Sequence, residues 1–217
     1  MIRSADVRSH DEARQWEARL NRDRPQRFQV AAWIVSQIDS PPATSPRVVE
    51  LACGAGYLAQ ALFQQFPAAR YCGFDLSPHL LDYARGRLSP QEHGPPIDGE
   101  VEFRCADLVN SDWEKSLFEL GWEGQVDVVV SMQALHDLGG LEQQTDVLAR
   151  SRSLLRAGGQ LVYADLLQDP DEPHPSRFTV DQHAEMLRAS GYAPIIAGQG
   201  GAAADATFGD FGCFKCR

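Results

Sequence analysis

Three acids stand at or just past the ends of short apolar runs: Glu50 after Val48-Val49, Asp75 after Arg70–Phe74, and Asp107 after Val101–Cys105. Acids at the tips of successive predicted strands converge on one edge of a sheet, where they can accept hydrogen bonds from a ligand's hydroxyls and amines. Between the first two lies Ala52-Cys53-Gly54-Ala55-Gly56, followed by apolar residues at helical spacing, Tyr57, Leu58, Ala61, Leu62 and Phe66. A strand, a glycine turn and a helix in that order bring bare backbone N–H groups to a helix N-terminus, where a ligand can approach closely. Asp75 lies 21 positions beyond Gly54 and 19 beyond Gly56, a distance at which an acid accepts from both vicinal hydroxyls of a ribose. The pattern points to an adenosine-containing ligand. A fourth candidate, His136, follows the β-branched run Val126–Ser131. Its ordinary pKa of about 6.5 suits a general base that deprotonates a hydroxyl or amine. Asp137 is the acid at hand to orient it, although adjacent residues rarely face each other.

Two readings compete for the glycine turn. Gly54-Ala55-Gly56-Tyr57-Leu58-Ala59 satisfies the dinucleotide fingerprint G-x-G-x-x-G/A, a weak match because Gly and Ala are common. The other reading begins four residues earlier. Glu50-Leu51-Ala52-Cys53-Gly54-Ala55-Gly56 resembles the first motif of the class I S-adenosylmethionine-dependent methyltransferases, (D/E)-x-G-x-G-x-G, with Ala52 where that family more often has Gly. Gly73-Phe74-Asp75-Leu76-Ser77 is similar to the family's second-strand motif, and Leu154–Leu161 to its L-(K/R)-P-G-G turn, with Ala157 in place of Pro. A site that holds a pyrophosphate has no need of an acid at position 50. The methyltransferase reading is favoured.

That resemblance runs from Val48 to the carboxyl terminus. It implies a cofactor, S-adenosyl-L-methionine, bound by Glu50, Ala52, Cys53, Gly54 and Gly56 at the first turn, Asp75 and Leu76 at the second strand, Asp107 and Leu108 at the third, and Ser131 and Met132 at the fourth. Glu50 is expected beneath the turn, organising it. Asp107 is expected on the adenine amine, with the bland alternative of a turn former. The implied reaction is methyl transfer to O, N or C of a small molecule, with His136 as the catalytic candidate and no metal. Three alternatives stay open. An NAD-binding oxidoreductase would need a proton-transfer pair such as Tyr-x-x-x-Lys, which the chain lacks. A protein or RNA methyltransferase sharing this core has no Asn-Pro-Pro-Tyr-like tetrapeptide here to support it. A non-catalytic module that only binds the cofactor is the third.

Alternating strand and helix signals predict an α/β fold: a three-layer doubly wound sheet of seven mostly parallel strands with an antiparallel last strand, plus N-terminal helices. The division is a helical segment over 1–45, placed to cover cofactor or substrate, and a methyltransferase domain over 46–217. In the first segment Asp11–Leu20 reads as a short helix carrying Trp16, for which core and pocket-lining roles weigh evenly. Pro25–Ile38 reads as an amphipathic helix with Phe28, Ala31, Ala32, Val35 and Ile38 on its buried face. The helix from Leu141 is expected to stop at Gly158-Gly159. Gly198–Ala206 is expected to join the last two strands.

The composition is that of a globular chain, 217 residues with 43% hydrophobic and 23% charged content. A net charge of -10 disfavours a phosphate backbone as partner. Residues 1–27 are locally basic, with seven Arg against five Asp or Glu, and are read as solvated helix faces. No run approaches the ~20 apolar residues of a membrane span, and the start of the chain does not resemble a signal peptide. The five cysteines are scattered and odd in number. Cys213 and Cys216 are read as structural thiols facing opposite sides of a strand, and the compartment as cytoplasmic. Oligomeric state is not legible.

Overall fold

A computed structural model describes residues 4–40, 44–89, 97–199 and 208–217. Seven strands form one sheet in the order β3-β2-β1-β4-β5-β7-β6: β1 Arg47–Leu51, β2 Arg70–Asp75, β3 Glu100–Cys105, β4 Val126–Met132, β5 Leu155–Leu166, β6 Pro194–Gln199 and β7 Phe211–Cys216. β1 through β5 pair in parallel, and β7 runs antiparallel between β5 and β6. The expected Gly198–Ala206 connection falls largely outside the described residues.

Burial on both faces explains why β1 and β4 read as unbroken apolar runs: Val48, Val49, Leu51, Val129 and Val130 are all inaccessible. On one face pack α2 (Arg27–Ser36), α3 (Tyr57–Gln65) and α4 (Pro78–Arg87), on the other α5 (Lys115–Phe118), α6 (Leu141–Leu154) and α7 (Val180–Ala189). Leu62 and Phe63 of α3 are fully buried, which contributes about 1.5–3 kcal/mol each. α1 (His10–Asp23) lies apart from both layers. It starts at a Ser9 cap, and its Ala13 and Trp16 pack with Val7 on Leu80 of α4 and on Ala55 of the glycine turn.

Two expectations need correction. The buried stripe of α2 runs Arg27, Val30, Ala31, Ile34 and Val35, with Ile38 just beyond, whereas Phe28 is 62% exposed. Ala31, Val35 and Ile38 are buried as expected, whereas Phe28 and Ala32 face outward, because the first inward position carries a charge. α6 ends at Leu154, and the chain enters β5 at Leu155, ahead of Gly158-Gly159. Leu155 pairs with Val126 of β4, and that pairing stops the helix before the glycines. Cys213 and Cys216 belong to the cores on opposite faces of the sheet, and both are free thiols. Among the described residues no helix is long and apolar enough to cross a membrane.

Candidate functional site

The strand order reverses between β1 and β4, and at such a point an open parallel sheet leaves a crevice at its carboxyl edge. Both strands leave that edge through a non-glycine residue in the left-handed region, Ala52 (φ 50°) and Gln133 (φ 56°). Such a conformation costs an L-residue about 1–2 kcal/mol, and strain of this kind gathers at binding sites. Gln133 escaped the sequence reading because nothing in its residue type signals positive φ. It is fixed by donating its backbone N–H to Ala164 O at 2.8 Å, while its Oε1 is buried without a partner.

After Ala52, the turn continues through Gly54 (φ 53°) and Gly56 (φ 72°), tied by Cys53 N–H to Phe74 O at 2.8 Å and Gly56 N–H to Cys53 O at 3.0 Å. A Cβ on Gly56 would stand 2.9 Å from the Ala84 Cβ, so this glycine lets α3 approach α4. A Cβ on Gly54 would meet the Trp16 ring at 3.4 Å. The N-terminal helix thus reaches the turn itself.

Asp75 is 6% exposed, and its carboxylate accepts from Gly54 N–H at 2.8 Å and Ser77 N–H at 2.9 Å. Burial pushes its pKa up, against those backbone donors, and Asp137 pushes the same way. The helix cap that follows is Ser77, whose hydroxyl accepts from Leu80 N–H at 3.3 Å, with Pro78 opening α4. Glu50 is 3% exposed, and its Oε2 accepts a hydrogen bond from the Tyr71 hydroxyl at 2.7 Å. Burial raises its pKa to about 8, against the Tyr71 bond and helped by Asp75, so this carboxyl is neutral at pH 7. Its side chain bonds Tyr71, where the sequence reading had it organise the turn. Tyr71 Oη and Cys53 Sγ in turn crowd Gly73, where a Cβ would lie 2.5 and 2.9 Å from them.

Asp107 does form a turn. Its Oδ1 accepts from Val109 N–H at 2.9 Å and Asn110 N–H at 3.1 Å, its Oδ2 from Asn110 Nδ2 at 2.9 Å. Asn110 holds its pKa below the ordinary value, against a slight burial cost. Oδ2 keeps a lone pair for another donor. Leu76 is 55% exposed at the tip of β2, whereas Leu108 is buried in the core. The Ser131 hydroxyl donates to Leu51 O at 3.1 Å, tying β4 to β1, and Met132 is buried beside it.

His136 sits in a single 3-10 turn, Leu135–Asp137, just past β4. Its Nδ1 lies 2.6 Å from Asp165 Oδ1, and its backbone N–H donates to Asp165 Oδ2 at 2.8 Å. The orienting acid is Asp165 at the end of β5, not Asp137, whose carboxylate is mostly exposed and 3.7 Å from Nε2. Residues next to each other in sequence diverge, while β4 and β5 pair and bring residues 29 positions apart together. A carboxylate only accepts, so Nδ1 carries the proton and Nε2 is the atom that titrates. Burial alone would lower the His136 pKa, but Asp165 overrides it through charge and hydrogen bond, and the result is raised. Against its own burial, His136 holds Asp165 below the ordinary carboxylate value.

This arrangement has relatives. A family model described as a methyltransferase domain matches residues 49–161. The chain belongs to that family. The methyltransferase chain is 26% identical over 114 residues to the malonyl-[acyl-carrier protein] O-methyltransferase of Acetivibrio thermocellus, covering 51% of itself and 34% of that protein. It is 30% identical over 183 residues to the trans-aconitate 2-methyltransferase of Methylobacterium nodulans, covering 84% of itself and 58% of the relative. It therefore spans less than two thirds of either. Human N-acetylserotonin methyltransferase, solved with S-adenosylmethionine, shares the fold at a TM-score of 0.65 and 16% identity, covering 96% of this chain and 56% of that one.

Proposed function

We propose that this methyltransferase chain transfers a methyl group from S-adenosylmethionine to a small-molecule acceptor, at oxygen, nitrogen or carbon. The observation that carries the reading is the Gly54–Asp75 hydrogen bond, which locks an acid onto a Cβ-free turn at the switch point of the sheet. The residues present suit an adenosyl amino acid. Asp75 keeps acceptor capacity beyond its backbone donors for a ribose hydroxyl, Asp107 has a lone pair for an adenine amine, and Leu76 offers an exposed apolar surface for the ring. Ala52, Cys53, Gly54 and Gly56 would border the amino-acid part, with Ser131, Met132 and Gln133 across the crevice. Helix α1 would cover the site through Trp16. When bound, S-adenosylmethionine supplies an electrophilic methyl group on a sulfonium. What this chain adds is alignment, exclusion of water, and at His136 Nε2 a base, held by Asp165, that takes the acceptor's proton.

Oxygen is the favoured acceptor atom, supported by the name of the malonyl-[acyl-carrier protein] O-methyltransferase relative; a hydroxyl acceptor, unlike a carboxylate, would also call on the base at His136. Calorimetry with S-adenosylmethionine, S-adenosylhomocysteine and NAD tests the cofactor assignment. Micromolar-range binding of the first two, none of NAD, and loss on Asp75→Ala are the expected outcomes. Tighter binding of NAD would overturn the reading.

A further inference from the structure

Two connections leave the sheet edge around His136: residues 133–140 after β4, which carry it, and residues 167–179 after β5, which follow its partner Asp165. The second is long, yet it is pinned at both ends. Leu167 bridges Phe178 in parallel, and Gln168 N–H donates to Phe178 O at 3.0 Å, so the loop returns to the sheet beside the end of β5. Gln144 of α6, fully buried, spans the gap between the connections: its Nε2 donates to Gly139 O at 2.8 Å and to Ser176 O at 2.9 Å. Arg177 stands between those two anchors, with Ser176 before it and Phe178 after it. Its backbone N–H donates to His174 O at 3.2 Å.

The place of this guanidinium is fixed while its charge is unanswered. Its Nε is shut off from water without a hydrogen-bond partner, and its Nη groups bond to nothing among the described residues. Neither Asp137 nor the exposed acids of its own loop, Asp169, Asp171 and Glu172, form an ion pair with it. At the His136 ring, burial and the Arg177 charge both oppose Asp165, which puts Arg177 on the side of the crevice where the base stands. A fixed cation with a buried, unbonded N–H is unfavourable until an anion meets it. A planar guanidinium fork matches a carboxylate with two parallel hydrogen bonds. Among the described residues no second cation bears on the His136 ring, and one fork suits the single charge of a carboxylate better than a phosphate dianion.

Resting on the proposed function, we propose that the methyl acceptor is an organic acid whose carboxylate is held by Arg177, which makes Arg177 a specificity-determining residue for the acceptor. An oxygen clamped by a guanidinium is a poor nucleophile, so the held carboxylate is a handle and a different group of the acceptor faces His136. The test is calorimetry on the S-adenosylhomocysteine-saturated protein with malate, citrate, salicylate and 3-hydroxybenzoate, the neutral amide of each, and phenyl phosphate. Wild type is expected to bind at least one acid about 10- to 100-fold tighter than its amide, the range of a hydrogen bond to a charged group. Arg177→Gln should erase that preference through weaker binding of the acid alone, and Arg177→Lys should restore part of it. Both variants should bind S-adenosylhomocysteine as wild type does and melt no lower, since the Nε they lose has no partner. A preference that survives Arg177→Gln, or tighter binding of phenyl phosphate than of every acid, overturns the proposal. So does a wild type that binds S-adenosylhomocysteine but none of the acids. A wild type that does not bind S-adenosylhomocysteine overturns the proposed function itself.

Discussion

His136 and Glu50 are two buried titratable groups whose neighbours move them in ways that pH can read. Asp165 raises the His136 pKa, so the neutral base is available only above pH 6.5. Once an acceptor is known, kcat/KM should rise with pH along a limb above that value, and Asp165→Asn should move the limb to lower pH, because burial then acts nearly unopposed. His136→Ala should lower kcat by about 10²–10⁴-fold. A pH profile that is identical in wild type and His136→Ala would remove the base. The ion pair also bears on stability: its contribution is full between pH 3.8 and 6.5, fades as Asp165 protonates in acid, and fades as His136 deprotonates above its raised value. Glu50 has the opposite sign. Its folded pKa of about 8 against an ordinary 4.5 means that the native state holds a proton the unfolded chain has lost. Wild type should lose stability relative to Glu50→Gln across that window, at no more than about 1.4 kcal/mol per pH unit. Melting curves at pH 5 and pH 8 check it, and a difference independent of pH would show that Glu50 is ionised throughout.

At the level of elements, the glycine turn and α2 make opposite demands on substitution. Gly56→Ala combines a left-handed backbone with a 2.9 Å approach to Ala84, so it should destabilise by about 2–4 kcal/mol. Thermal denaturation should show a fall of at least about 4 °C. Phe28→Ser, by contrast, removes a side chain that is 62% exposed and should stay within about 0.5 kcal/mol of wild type. A large loss at Phe28 would return it to the buried face expected from hydrophobicity alone. Phe28 was misplaced for a definable reason. Periodicity counts apolar residues, and Arg27 holds an inward position for which no local rule selects a charge. Strands β1 and β4 were legible because burial on both faces leaves its mark over a few neighbouring residues.

For the molecule as a whole, a ligand that binds only the folded state must stabilise it. S-adenosylmethionine at a hundredfold its Kd should add about 2.7 kcal/mol, or about 5–11 °C in melting temperature for a chain of this size. No shift at saturating concentration would contradict the cofactor assignment. By itself, the sequence determined the alternation of elements, the sheet they build, and the carboxylates carried at three strand tips, because hydrophobic period and turn chemistry are local. Only the tertiary structure decided which groups meet: Asp165 with His136, Tyr71 with Glu50, Trp16 with Gly54, Arg27 with Tyr57. Each of those pairs joins residues far apart in the chain. Their encounter depends on strand pairing and helix docking, and no spacing along the sequence records it.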